Sequence, residues 1–142
     1  VVYRWRFRDG LPDWFDPSLL PGDWYWHLLH AETGAIGYLR KPMSAYRRHA
    51  ASLYALAEKN HVAHRHRHGL QELRMYTVCN AHFRGRYFKE FSRLARSAFA
   101  DFVQDYLKTK DDSLLQEGIA AAPAFAKDFL ALLSDQNMKI PR

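Results

Sequence analysis

Two short stretches of this chain bring together residue types that can do chemistry. Asp23 follows Pro21-Gly22 and precedes the aromatic run Trp24, Tyr25 and Trp26, while Tyr46-Arg47-Arg48-His49 sets two guanidinium groups beside an imidazole. The aspartate has two physical readings. As a helix N-cap it accepts backbone N–H bonds that lack an intrahelical partner. At the mouth of a cleft, partly desolvated by the neighbouring aromatic rings, it is a general base. Arg47 and His49 also read two ways. They end a basic strand in solvent, or they clamp a diphosphate, with Arg supplying forked donors and His a donor or a metal-binding nitrogen. If both sharper readings hold, a base stands on one side of a site and a leaving-group clamp on the other.

The elements that must position these groups follow from the surrounding pattern. The Pro-Gly turn opens a helix through Leu28 and Leu29, and Gly34-Ala-Ile-Gly-Tyr38 reads as a glycine-punctuated turn into a strand. Strands are expected at 1–7 and 35–48, with a short helix from Ala50 to Lys59. From Leu70 onward the pattern is helical. Leu70, Leu73, Tyr76 and Thr77 form one stripe; Tyr87, Phe88, Phe91, Leu94, Ala95, Ala98, Phe99, Phe102, Val103, Tyr106 and Leu107 form a longer one at three- and four-residue steps. Gly85 separates the two helices, Lys108 to Ser113 ends the second, Leu114 to Ile119 is a short helical turn, and Pro123 opens a last helix through Ser134. The fold class expected is α+β, mostly α.

Residues 1–49 resemble the C-terminal part of the catalytic domain of family 2 glycosyltransferases. The resemblance rests on Val1-Val-Tyr-Arg4, Leu11-Pro-Asp-Trp-Phe15, Gly22-Asp-Trp24, Gly34-Ala-Ile-Gly-Tyr-Leu39 and Met43-Ser-Ala-Tyr-Arg-Arg-His49, in order and at similar spacing. These are inverting enzymes of the glycosyltransferase A fold, which move a sugar from a nucleotide-sugar to an acceptor hydroxyl. The resemblance implies that Asp23 is the catalytic base and Trp24 part of the acceptor-side wall. It also implies that Arg47 and His49 lie near the donor diphosphate, with His49 a contact to a divalent metal, Mn or Mg. A family member also needs an upstream nucleotide-binding half with an Asp-x-Asp motif, and none occurs in these 142 residues. The chain is therefore expected to be a fragment, inactive alone, with strand edges that invite self-association.

Three segments follow: 1–59, the acceptor-side portion; 60–69, a His/Arg-rich linker; and 70–142, a helical extension. The linker holds His61, His64, His66 and His68, whose spacing admits a transition metal, but Arg65 and Arg67 repel a cation and no Cys or carboxylate completes a ligand set. A surface-exposed, pH-sensitive basic link is the simpler reading. One cysteine, Cys79, excludes an internal disulfide framework and reads as a buried structural thiol.

The net charge of +6 and the pI near 9.6 favour anionic partners without naming one. No zinc-finger or RNA-recognition motif accompanies the basic residues, so specific nucleic-acid binding is not expected. Arg84, Arg86, Lys89, Arg93 and Arg96 flank the longer aromatic stripe, diluted by Glu90, Asp101 and Asp105. A basic amphipathic helix of this kind packs inward, lies on anionic lipid or docks a partner. The alternative to sugar transfer is thus a non-catalytic helical module binding a protein or an anionic membrane surface. No apolar run is long enough to span a bilayer and no secretory signal is present, so a cytoplasmic protein is expected, with peripheral contact at the inner face of a membrane as an option ranked below inward packing of the basic helix. Hydrolase elbows, P-loops, paired Cys-x-x-Cys and His-Glu-x-x-His are absent.

Overall fold

The computed structural model describes residues 7–19, 22–38, 40–42 and 60–135. Five α-helices order them: α1 (Gly22–Glu32), α2 (His61–His82), α3 (Phe88–Thr109), α4 (Ser113–Ala121) and α5 (Ala126–Asp135), with a 3₁₀ turn at Pro123–Phe125 before α5.

α2 and α3 form an antiparallel hairpin. Arg65 lies opposite Asp105, with Nη1 donating to Oδ1 at 2.9 Å, and Tyr76 lies beside Phe91, their ring centroids 6.2 Å apart. The turn between them uses two left-handed residues, Arg84 (φ 51°) and Gly85 (φ 72°), and the Gly85 N–H closes back on the Asn80 carbonyl at 2.9 Å. Only glycine enters that region without steric cost, which is why Gly85 marks the corner. α3 stops at Lys110, also left-handed, whose N–H bonds to the Tyr106 carbonyl at 2.8 Å. Among the shorter elements, Pro123 starts the turn into α5 where its missing N–H costs nothing.

The core follows the two sequence stripes. Leu70, Leu73, Tyr76 and Cys79 from α2 meet Phe91, Ala95, Phe99, Phe102 and Val103 from α3, roofed by Leu114 and Leu115 of α4 and Phe129 and Leu133 of α5. Phe99 and Phe129 stack nearly parallel at 4.2 Å. Gly69 and Gly118 let α2 and α4 approach the Phe102 ring. A Cβ would stand 2.6 Å from Phe102 Cε1 at Gly69 and 2.9 Å from Cδ2 at Gly118. Held from both sides, the ring cannot retreat. Gly69→Ala is therefore expected to lower the urea midpoint: overpacking costs about 1–3 kcal/mol, against a helix-propensity gain of about 1. A raised midpoint would show that the ring has room to move.

The α+β expectation, and with it the partial glycosyltransferase A fold, is overturned: among the described residues there is no strand, and the architecture is helical. Residues 35–38, expected to begin a strand, are irregular, and Ile36 and Tyr38 are 74% and 84% exposed. A strand needs a partner for its N–H and C=O groups and an apolar face to cover, and neither is met there. Residues 1–6, 39 and 43–48 of the strands expected at 1–7 and 35–48, and the helix expected at 50–59, lie outside the described residues.

The expected 60–69 linker is helical as well. Residues 61–69 are the first turns of α2, capped by Asn60, whose Oδ1 accepts the Ala63 N–H at 3.0 Å. The His/Arg composition hides this, because the helix is anchored across space: Arg65 pairs with Asp105, and His66 Nε2 lies 3.0 Å from Glu117 Oε2.

Candidate functional site

α1 carries the first candidate. It starts at Gly22, Asp23 sits in its first turn, and Tyr25 and Leu29, one helical turn apart, are fully buried against the body. Burying that face leaves Asp23 and Trp24 outward. Asp23 is exposed and Trp24 is 51% exposed, and Asp23 Oδ1 accepts the Trp24 N–H at 3.0 Å. The aspartate thus accepts a first-turn backbone N–H while its carboxylate stays open to solvent rather than enclosed by the aromatic run.

The face behind them is fixed by aromatic packing. Phe15 stacks on Tyr25 at 4.2 Å, and the Tyr25 hydroxyl donates to the Trp14 carbonyl at 2.9 Å. Burial pushes the Tyr25 phenol up to about 12, which keeps it a neutral donor. Trp14 stacks on His82 at 4.0 Å, and His82 Nε2 lies 2.6 Å from Glu32 Oε1, joining both ends of the α1 segment to the end of α2. Asp16 is spent locally. The Ser18 hydroxyl and then the Ser18 N–H hold its carboxyl below the usual range, in a closed Asx turn.

Asp23 and Trp24 are brought together; Arg47 and His49 lie outside the described residues. No group of three or more His, Cys, Asp or Glu positioned to hold a metal occurs among the described residues, so they give the implied Mn or Mg no ligand set. Of the histidine run, His64 and His68 face each other at 4.3 Å one turn apart, while His66 points to Glu117. Burial, followed by the like charge of His64 and Arg67, holds His68 below the ordinary histidine range, because desolvation first and repulsion second disfavour its cationic form. Cys79 is fully buried, as expected, and burial pushes its thiol up to about 12, so it is no nucleophile at neutral pH.

A concave feature lies between α3 and α5. This groove of about 370 Å³ is lined by Phe88, Lys89, Ser92, Arg93, Arg96 and Asp128. The sequence reading picked out the cations but missed Ser92 and Asp128. Their hydrogen bond spans 36 residues and has no local signature.

No helix among the described residues is long and apolar enough to cross a membrane. No family model matches the chain, and no solved structure matches it. The chain is similar to an uncharacterized protein of Mycobacterium bovis and to two of Mycobacterium tuberculosis, each 41% identical over 54 residues. That stretch is 38% of this chain and 15% of each relative's length.

Proposed function

We propose that this chain is the acceptor-side piece of an inverting glycosyltransferase, followed by a helical extension. The observation that carries the proposal is the solvent-facing pair at the start of α1, Asp23 with the half-exposed Trp24 beside it. The ordered resemblance of residues 1–49 to family 2 transferases supports it. Asp23 takes the proton of an acceptor hydroxyl as that oxygen attacks the anomeric carbon. The bond from that carbon to the diphosphate oxygen breaks, and its electron pair leaves with the nucleoside diphosphate. Attack opposite the leaving group inverts the centre. The Trp24 indole supplies an apolar face for an acceptor sugar ring. Arg47 and His49 belong to the same proposal as donor-diphosphate contacts, and the partners it implies are a nucleotide-sugar and a glycan or lipid-linked acceptor. No step is assigned to a metal ion.

The test is donor turnover by the full-length protein. Incubation with a panel of nucleotide-sugars and glycan or lipid-linked acceptors is expected to release nucleoside diphosphate only when the acceptor is present. Turnover of none of the donors, in protein shown to be folded, would overturn the reading.

A further inference from the structure

We propose that the groove between α3 and α5 binds a compact phosphorylated polyol, its phosphate held by Lys89, Arg93 and Arg96 and a hydroxyl by Asp128. Lys89, Arg93 and Arg96 fall at i, i+4 and i+7, so one face of α3 presents all three to the groove. Each is exposed, and none makes an ion pair or hydrogen bond among the described residues. Three unpaired cations within two turns repel one another, and an anion between them relieves that repulsion. Two of them are arginines, whose forked donors match phosphate oxygens. By contrast Arg86 sits over the Tyr87 ring at 5.4 Å, already engaged at the corner.

The opposite wall sets the ligand's second half. Ser92 is buried and its hydroxyl donates to Asp128 Oδ2 at 2.5 Å, fixing the carboxylate at the groove. A carboxylate in a cationic groove disfavours a bare inorganic anion and favours an ester that brings its own hydroxyl donors. Phe88, 39% exposed, adds an apolar edge for a ring. The volume falls at the small end of ligand sites, roughly 300–1,000 Å³. The same α3 face continues through Ala100 and Gln104 without charge, so the cations do not extend into a track for a long polyanion.

The proposal stands apart from sugar transfer by Asp23, and one titration separates them. Calorimetry on the intact protein with glucose 1-phosphate is expected to show saturable binding stronger than that of inorganic phosphate. R93A/R96A is expected to weaken it at least about 10-fold, the scale of losing charge-assisted hydrogen bonds. Both residues are exposed, so circular dichroism is expected to stay unchanged. Asp128→Asn is expected to tighten inorganic phosphate and erase the preference for the sugar ester. Asp23→Asn is expected to leave all of this unaltered. Flotation with phosphatidylcholine vesicles, with and without phosphatidylinositol, identifies the source: binding to the inositol lipid alone, lost in R93A/R96A, places the phosphate on a lipid head. Absence of binding to glucose 1-phosphate and to both vesicles, or binding indifferent to R93A/R96A, would overturn the site.

Discussion

On the proposed sugar-transfer reading, Asp23→Asn is expected to slow transfer by the full-length protein about 100- to 10,000-fold, the usual contribution of a positioned general base. The amide keeps the size of the carboxylate, and its oxygen still accepts the Trp24 N–H, a 3.0 Å bond in the native protein. Helix α1 therefore survives, and what is lost is proton acceptance from the acceptor hydroxyl. Donor affinity is expected to change little, so the loss falls on kcat. Rate measurements at saturating donor, with donor binding followed separately, distinguish this from a structural defect. A variant as fast as the parent would remove Asp23 from the chemistry.

Arg65→Met is expected to cost a large part of the protein's stability. Asp105 is only 5% exposed, and its Oδ1 is held by Arg65 at 2.9 Å while Oδ2 is buried without a hydrogen-bond partner among the described residues. Removing the guanidinium leaves a buried carboxylate with no cation, a change that costs about 3–5 kcal/mol where both partners are enclosed. Arg65 is about a quarter exposed, which moves the expectation to the low end, about 3 kcal/mol. Urea unfolding reads it directly. Adding Asp105→Leu to Arg65→Met is expected to recover most of the loss, because both charges then leave together. A single-variant loss under about 1 kcal/mol would mean that water already reaches Asp105.

The helical body was legible where burial repeats along the chain. The stripe from Phe91 to Val103, the corner at Gly85 and the start at Pro123 all appear as read, since each is a local consequence of side-chain period or backbone freedom. What escaped is held by partners distant in sequence. Residues 61–69 read as a link because their composition is polar, yet Arg65–Asp105 and His66–Glu117 fasten them over separations of 40 and 51 residues. Asp105 was read as diluting a basic surface and is instead a buried partner. The strand expected from residue 35 drew on family likeness and on the pattern around Ile36 and Tyr38, and nothing in the described chain pairs with it over 35–38. For the site, Asp23 and Trp24 are adjacent in sequence and so could be read together, whereas the Ser92–Asp128 wall of the groove could not.

The clasp of Trp14 and Glu32 on His82 has a mechanical consequence. It grips the segment bearing Asp23 at two separate places, by a flat ring contact and by a short polar bond, on the rim of the corner that turns α2 into α3. A shift of α1 that carried Glu32 with it would break the bond to His82, on whose imidazole Trp14 is also stacked. Any change in the pitch of α1 therefore has to be registered at that corner, and the helical body serves Asp23 as a mounting rather than a trailing appendage.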